Sequence, residues 1–64
     1  MNLYDELLPY WRAHAEARRR RAPAYYVAWI DACVRICGQG VSIEWDDEGC
    51  TVAGVMRFDY ESVR

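Results

Sequence analysis

The sequence predicts an α+β domain in which two helices pack on a small antiparallel β-hairpin or sheet. Helical spacing of apolar residues in the first half and strict alternation in the last third indicate the two kinds of element. An aromatic load of three Trp, five Tyr and one Phe in 64 residues supplies the core, because each ring can bury roughly 150–250 Å². A chain this short makes one domain, residues 1–64, and buries only about 60% of its unfolded surface. Each large apolar side chain is therefore expected to be structural first.

The first helix is expected over about residues 5–20. Asn2 and Asp5 are both N-cap candidates, and Asp5 and Glu6 suit the positive end of the helix dipole. Pro9 lacks a backbone donor and fits best when regular helix begins near Asp5 or Glu6. Leu3, Leu7, Tyr10, Trp11 and His14 fall on one face, with Arg12, Glu16 and Arg19 opposite.

The second helix is expected over about 23–37, opened by Pro23 and stopped by Gly38. Tyr25, Tyr26, Trp29, Ile30, Cys33, Val34, Ile36 and Cys37 occupy most of its circumference, leaving Ala28, Asp31 and Arg35 as a narrow polar strip. Such a helix is expected to be covered on more than one side. The alternative of a strand at Tyr25–Ile30 is disfavoured by the Asp31–Arg35 spacing and the terminal glycine.

The strands are expected over about 41–46 and 50–58. Val41, Ile43 and Trp45 alternate with Ser42 and Glu44, and Cys50, Val52, Met56 and Phe58 provide the facing apolar set. An even-length loop at Asp46–Gly49 sets Trp45 opposite Cys50 and Ile43 opposite Val52; a one-residue slip would scatter the apolar side chains. An isolated hairpin is marginal, so it must lie on the helices or gain a third strand from elsewhere or a second copy. Residues 59–64 form either a short terminal helix capped by Asp59 or a frayed tail.

All eight basic residues are arginine. Five of them (12, 18, 19, 20 and 21) fall in residues 1–21 against Asp5, Glu6 and Glu16, whereas residues 22–64 hold Arg35, Arg57 and Arg64 against seven carboxylates. The two ends thus have opposite electrostatic character. No stretch has the length and apolarity of a bilayer span or the pattern of a signal peptide. Three cysteines, two of them one helical turn apart, argue against a secreted disulfide framework. A soluble, cytoplasmic protein is expected.

Four groups of residues could carry chemistry. Arg18, Arg19, Arg20 and Arg21, followed by Tyr25 and Tyr26, have the ingredients of a single-stranded nucleic-acid site. They also suit the negative end of a helix, with Arg20 four residues from Glu16, and on a helical wheel they point in different directions. His14, Cys33, Cys37 and Cys50 are zinc-compatible, but their spacing lacks a paired-cysteine knuckle. Cys50 and His14 could form a nucleophile and base, yet alternation turns Cys50 inward beside Trp45, where a thiol is inert. Neither a metal nor any other cofactor is expected, nor is enzymatic activity.

The fourth group is acidic: Glu44, Asp46, Asp47 and Glu48 on the hairpin, then Asp59 and Glu61. These six carboxylates are opposed only by Arg57 and Arg64. Solvated turns are ordinarily acidic, but concentrating like charge on a small hairpin costs stability and favours a basic partner. With its small size, all-arginine basicity and the acidic tip "EWDDEG", the chain resembles in type the small phage-encoded anti-CRISPR proteins. That resemblance implies a cytoplasmic, non-enzymatic inhibitor that mimics DNA phosphates and blocks a type I surveillance complex, acting as a monomer or weak homodimer. The alternatives are a small nucleic-acid-binding regulator acting through Arg18–Arg21, and a structural module dimerising through the hairpin edge or Tyr10 and Trp11.

Overall fold

The computed structural model describes residues 2–22 and 24–63. Two helices, α1 (Leu3–Arg19) and α2 (Tyr25–Cys37), cover one face of a meander of three antiparallel strands, β1 (Ile43–Asp46), β2 (Gly49–Val52) and β3 (Met56–Asp59). A single 3-10 turn, Glu61–Val63, follows. Among the described residues no helix is long and apolar enough to cross a membrane.

Asn2 rather than Asp5 caps α1: its side-chain oxygen accepts the Asp5 N–H at 2.8 Å. The helix therefore starts two residues earlier than expected, and Pro9 lies in its interior instead of its first turn. At the other end Ala22 N–H donates to the Ala17 carbonyl (3.0 Å) and Arg21 N–H to that of Arg18 (3.1 Å). This is the double bond pattern of a Schellman cap, with Arg21 in the left-handed region at φ 55°. α2 begins at Tyr25 behind Ala24, which offers no side-chain cap. The expected start at Pro23 lies outside the described residues.

The hairpin register matches expectation, Ile43 opposite Val52 and Trp45 opposite Cys50. The expected second strand, 50–58, does not exist as one strand. Val52–Val55 forms a tight turn closed by a 3.2 Å bond from Val55 N–H to the Val52 carbonyl. Ala53 and Gly54 both have positive φ there (57° and 72°). The chain folds back, so that Cys50 faces Phe58 and Val52 faces Met56. The stabilising third strand thus comes from within the expected second one. Val55, assigned to strand by alternation, is the turn's exposed corner at 82%.

The core lies between helices and sheet and is built from Leu7, Trp11, Trp29, Ala32, Cys33, Cys50, Val52 and Phe58. Trp11 is its centre, with ring centroids 5.0 Å from Trp29, 5.6 Å from Phe58 and 4.8 Å from Tyr60. Its indole N–H donates to the Asp59 carbonyl at 3.2 Å, tying α1 to the end of β3. Burying a ring of this size contributes about 4–6 kcal/mol before the entropy of ordering. Trp11 is fully buried, so the dimer contact expected through it is not available.

The covering of α2 also differs from expectation. Trp29, Ala32 and Cys33 face the core, but Tyr26, Val27 and Ile30 are exposed, Val27 at 63%. Only one side of this apolar helix is packed, since three short strands are too narrow to wrap it. Trp45 sits at the margin of the core, 37% exposed, with its ring edge-on to Tyr26 at 4.9 Å.

Candidate functional site

The acidic residues divide into a clamp and a groove. At the β1–β2 turn, Asp46 Oδ1 accepts the backbone N–H groups of Glu48 (2.8 Å) and Gly49 (3.0 Å), the side-chain turn that aspartate favours. Gly49 stands between Asp46 and Asp59 in the sheet register. Arg57, two residues before Asp59 on the same face of β3, spans both acids. Its Nη atoms donate to the two Asp46 oxygens at 2.5 and 2.8 Å, and its Nε donates to Asp59 Oδ1 at 2.8 Å. A further bond of 3.3 Å reaches Thr51 Oγ1.

The Arg57 hydrogen bonds, followed by that of Glu48 N–H, hold the Asp46 carboxyl well below the usual carboxylate range. Asp46 and then Asp59 raise the already high pKa of Arg57. Two of the six candidate carboxylates are therefore engaged within the sheet. Glu44 stands exposed on β1 opposite Thr51.

The remaining acids are brought together by one backbone bond. Tyr60 N–H donates to the Glu48 carbonyl at 2.9 Å, holding the segment after β3 beside the β1–β2 turn. Asp47 and Glu48 from the turn, and Glu61 from the segment after β3, line an open groove of about 600 Å³ with Tyr60, Arg18 and the clamped Asp59. Arg18 lies over the Tyr60 ring, its Cζ 4.1 Å from the centroid, a cation–π contact at the groove margin.

The arginine run diverges as the helical wheel requires. Arg19 pairs with Glu16 on its own helix, in place of the Arg20–Glu16 pair suggested by spacing. Arg20 is exposed. Arg18 and Arg21, together with Tyr25, line a second open hollow of about 410 Å³.

His14, on the apolar face of α1, is 3% exposed. Its Nδ1 is 3.0 Å from the Tyr25 carbonyl oxygen and its Nε2 is 2.9 Å from the Tyr60 hydroxyl. Because a carbonyl only accepts, Nδ1 carries the proton and Nε2 accepts from Tyr60. Burial is the largest influence lowering the His14 pKa, opposed by the Tyr25 bond and reinforced by the Arg18 charge. Burial pushes the Tyr60 phenol up to about 12.

Burial likewise pushes Cys33 up to about 12 and Cys50 up to about 11, and raises Cys37. These thiols are protonated at neutral pH and poor nucleophiles. Trp29 Nε1–H is buried without a hydrogen-bond partner; its dipole partly offsets the effect of burial on Cys50 without forming a bond of normal geometry. Among the described residues no three His, Cys, Asp or Glu side chains converge as metal ligands would.

Sequence reasoning found the acidic residues but missed Arg57 as their organiser and Tyr60 as the residue that joins them. The signal for the clamp was present in the register: with Asp46 opposite Gly49, the residue beyond it on a third strand is Asp59, and Arg57 is its neighbour on the same face. That reading required the turn at Ala53–Gly54. No protein-family model matches the chain, and no curated protein or solved structure matches it either.

Proposed function

We propose that this protein is a non-enzymatic inhibitor that binds a basic surface of a nucleoprotein complex through its acidic groove, working in the host cytoplasm. The supporting observation is the gathering of Asp47 and Glu48 from the turn and Glu61 from the segment after β3 into one groove, beside the Tyr60–Glu48 backbone bond. Like charges held together repel each other, and an Arg- or Lys-lined surface relieves that repulsion on binding. The resemblance to small anti-CRISPR proteins gives the partner a specific form, the DNA-binding channel of a type I surveillance complex.

Asp46 and Asp59 serve mainly to hold Arg57 and the sheet, so a test must spare them. The variant Glu44→Lys/Asp47→Lys/Glu48→Lys reverses charges that are exposed and outside the Arg57 clamp. A purified type I surveillance complex should lose target-DNA binding when the wild-type protein is added, less so as salt rises. The reversed variant should keep the wild-type melting temperature and fail to inhibit. Inhibition at wild-type potency by the folded variant would end the mimicry reading.

A further inference from the structure

The hollow at the end of α1 is a different feature from the acidic groove, sharing only Arg18 with it among the described residues. Arg21 occupies the position after the helix cap, at φ 55°, where glycine is favoured because it has no Cβ to clash. The chain thus carries a large cation at a position where a smaller residue would make the better cap. The side chain so placed lines the hollow together with Arg18 and Tyr25.

Three further observations make the hollow electropositive. The Schellman bonds occupy the Ala17 and Arg18 carbonyls, which would otherwise present partial negative charge at this helix end. Glu16, the nearest acid on α1, is paired with Arg19. Among the described residues neither Arg18 nor Arg21 forms an ion pair. The wall is aromatic: Tyr25 stacks on Tyr26 with centroids 4.4 Å apart.

We propose that this hollow is a binding site for a phosphate group attached to a flat ring, a nucleotide unit. Arg18 and Arg21 donate to the phosphate oxygens, a match of planar guanidinium to tetrahedral oxyanion. Tyr25 provides the surface against which a sugar or base rests. The unit is supplied either as a free nucleotide or as part of a single strand. This site stands independently of the acidic-groove reading.

The test titrates the full chain with inorganic phosphate, thymidine monophosphate and a tetrathymidylate, following tyrosine and tryptophan fluorescence. Arg21→Gly should raise the melting temperature by relieving the left-handed arginine, yet weaken nucleotide binding about tenfold. Arg18→Gln should weaken binding by a similar factor. Arg20→Gln, which removes the same charge outside the hollow, should leave it within about twofold of wild type. A tetrathymidylate that binds well above the mononucleotide identifies the strand as the source; equal affinities identify the free nucleotide. Unchanged binding by Arg21→Gly, an equal loss in Arg20→Gln, or no binding of either nucleotide probe overturns the proposal.

Discussion

Replacing His14 tests the most densely connected polar group in the core. His14→Ala removes a ring that is 3% exposed and both of its hydrogen bonds, leaving the Tyr60 hydroxyl without its acceptor. An orphaned buried donor costs about 1–3 kcal/mol and the lost packing about 2–3 kcal/mol, together about 3–6 kcal/mol. A domain of this length has about 3–10 kcal/mol of total stability, so the alanine variant should be partly unfolded at room temperature. His14→Gln can donate to the Tyr25 carbonyl and accept from Tyr60 through one amide, and it should remain folded. The pair of variants separates hydrogen bonding from titration.

The pH dependence of the wild type then follows from the direction of the shift. Folding lowers the His14 pKa from 6.5, mainly through burial. Well above pH 6.5 neither state binds the proton and the full stability is present. As pH falls through this value the unfolded chain takes the proton first, so stability declines toward the folded pKa. One group changes stability by at most about 1.4 kcal/mol per pH unit. Urea unfolding followed by tryptophan fluorescence from about pH 8 to about pH 5 should show this loss in the wild type and not in His14→Gln. Asp46, held low by Arg57, acts in a separate window, losing its contribution as pH falls below 3.8. Equal slopes for wild type and His14→Gln between about pH 8 and pH 5 would refute the reasoning.

Two backbone positions offer independent checks. Ala53→Asn should stabilise the fold by about 0.5–1 kcal/mol, because Asn-Gly is the favoured pair for a turn with positive φ at both central residues; an unchanged or lowered melting temperature would mean that the turn is not as described. Gly49→Ala should cost about 2 kcal/mol or more, since the added Cβ would overlap the Phe58 carbonyl oxygen and force β2 and β3 apart. Wild-type stability in denaturant titration would show that this close approach of the strands is not required.

Elements governed by local spacing were legible in the sequence. The helical spacing of Leu7, Trp11 and His14 made α1, the Val34–Gly38 bond ended α2 at the expected glycine, and the two-residue loop at Asp47–Glu48 set the hairpin register. These features are decided within a few residues, where periodicity and turn chemistry act directly. The acidic candidates were legible as residues, because composition alone displays them.

Tertiary structure decided the rest. Alternation from Cys50 to Phe58 looked continuous because Ala53–Val55 spans an odd number of residues, which preserves the two-residue period on either side of the turn. Ala53 takes a left-handed conformation that its own propensity disfavours, and the pairing of β3 with β2 offsets the cost. That fold-back brings Arg57 and Asp59 to Asp46, and Tyr60 to Glu48 and His14. Local sequence determined which segments become helix or strand; contacts between residues up to 54 positions apart, Tyr4 and Phe58, determined which side chains meet, because burial and cross-strand pairing depend on neighbours that no short window contains.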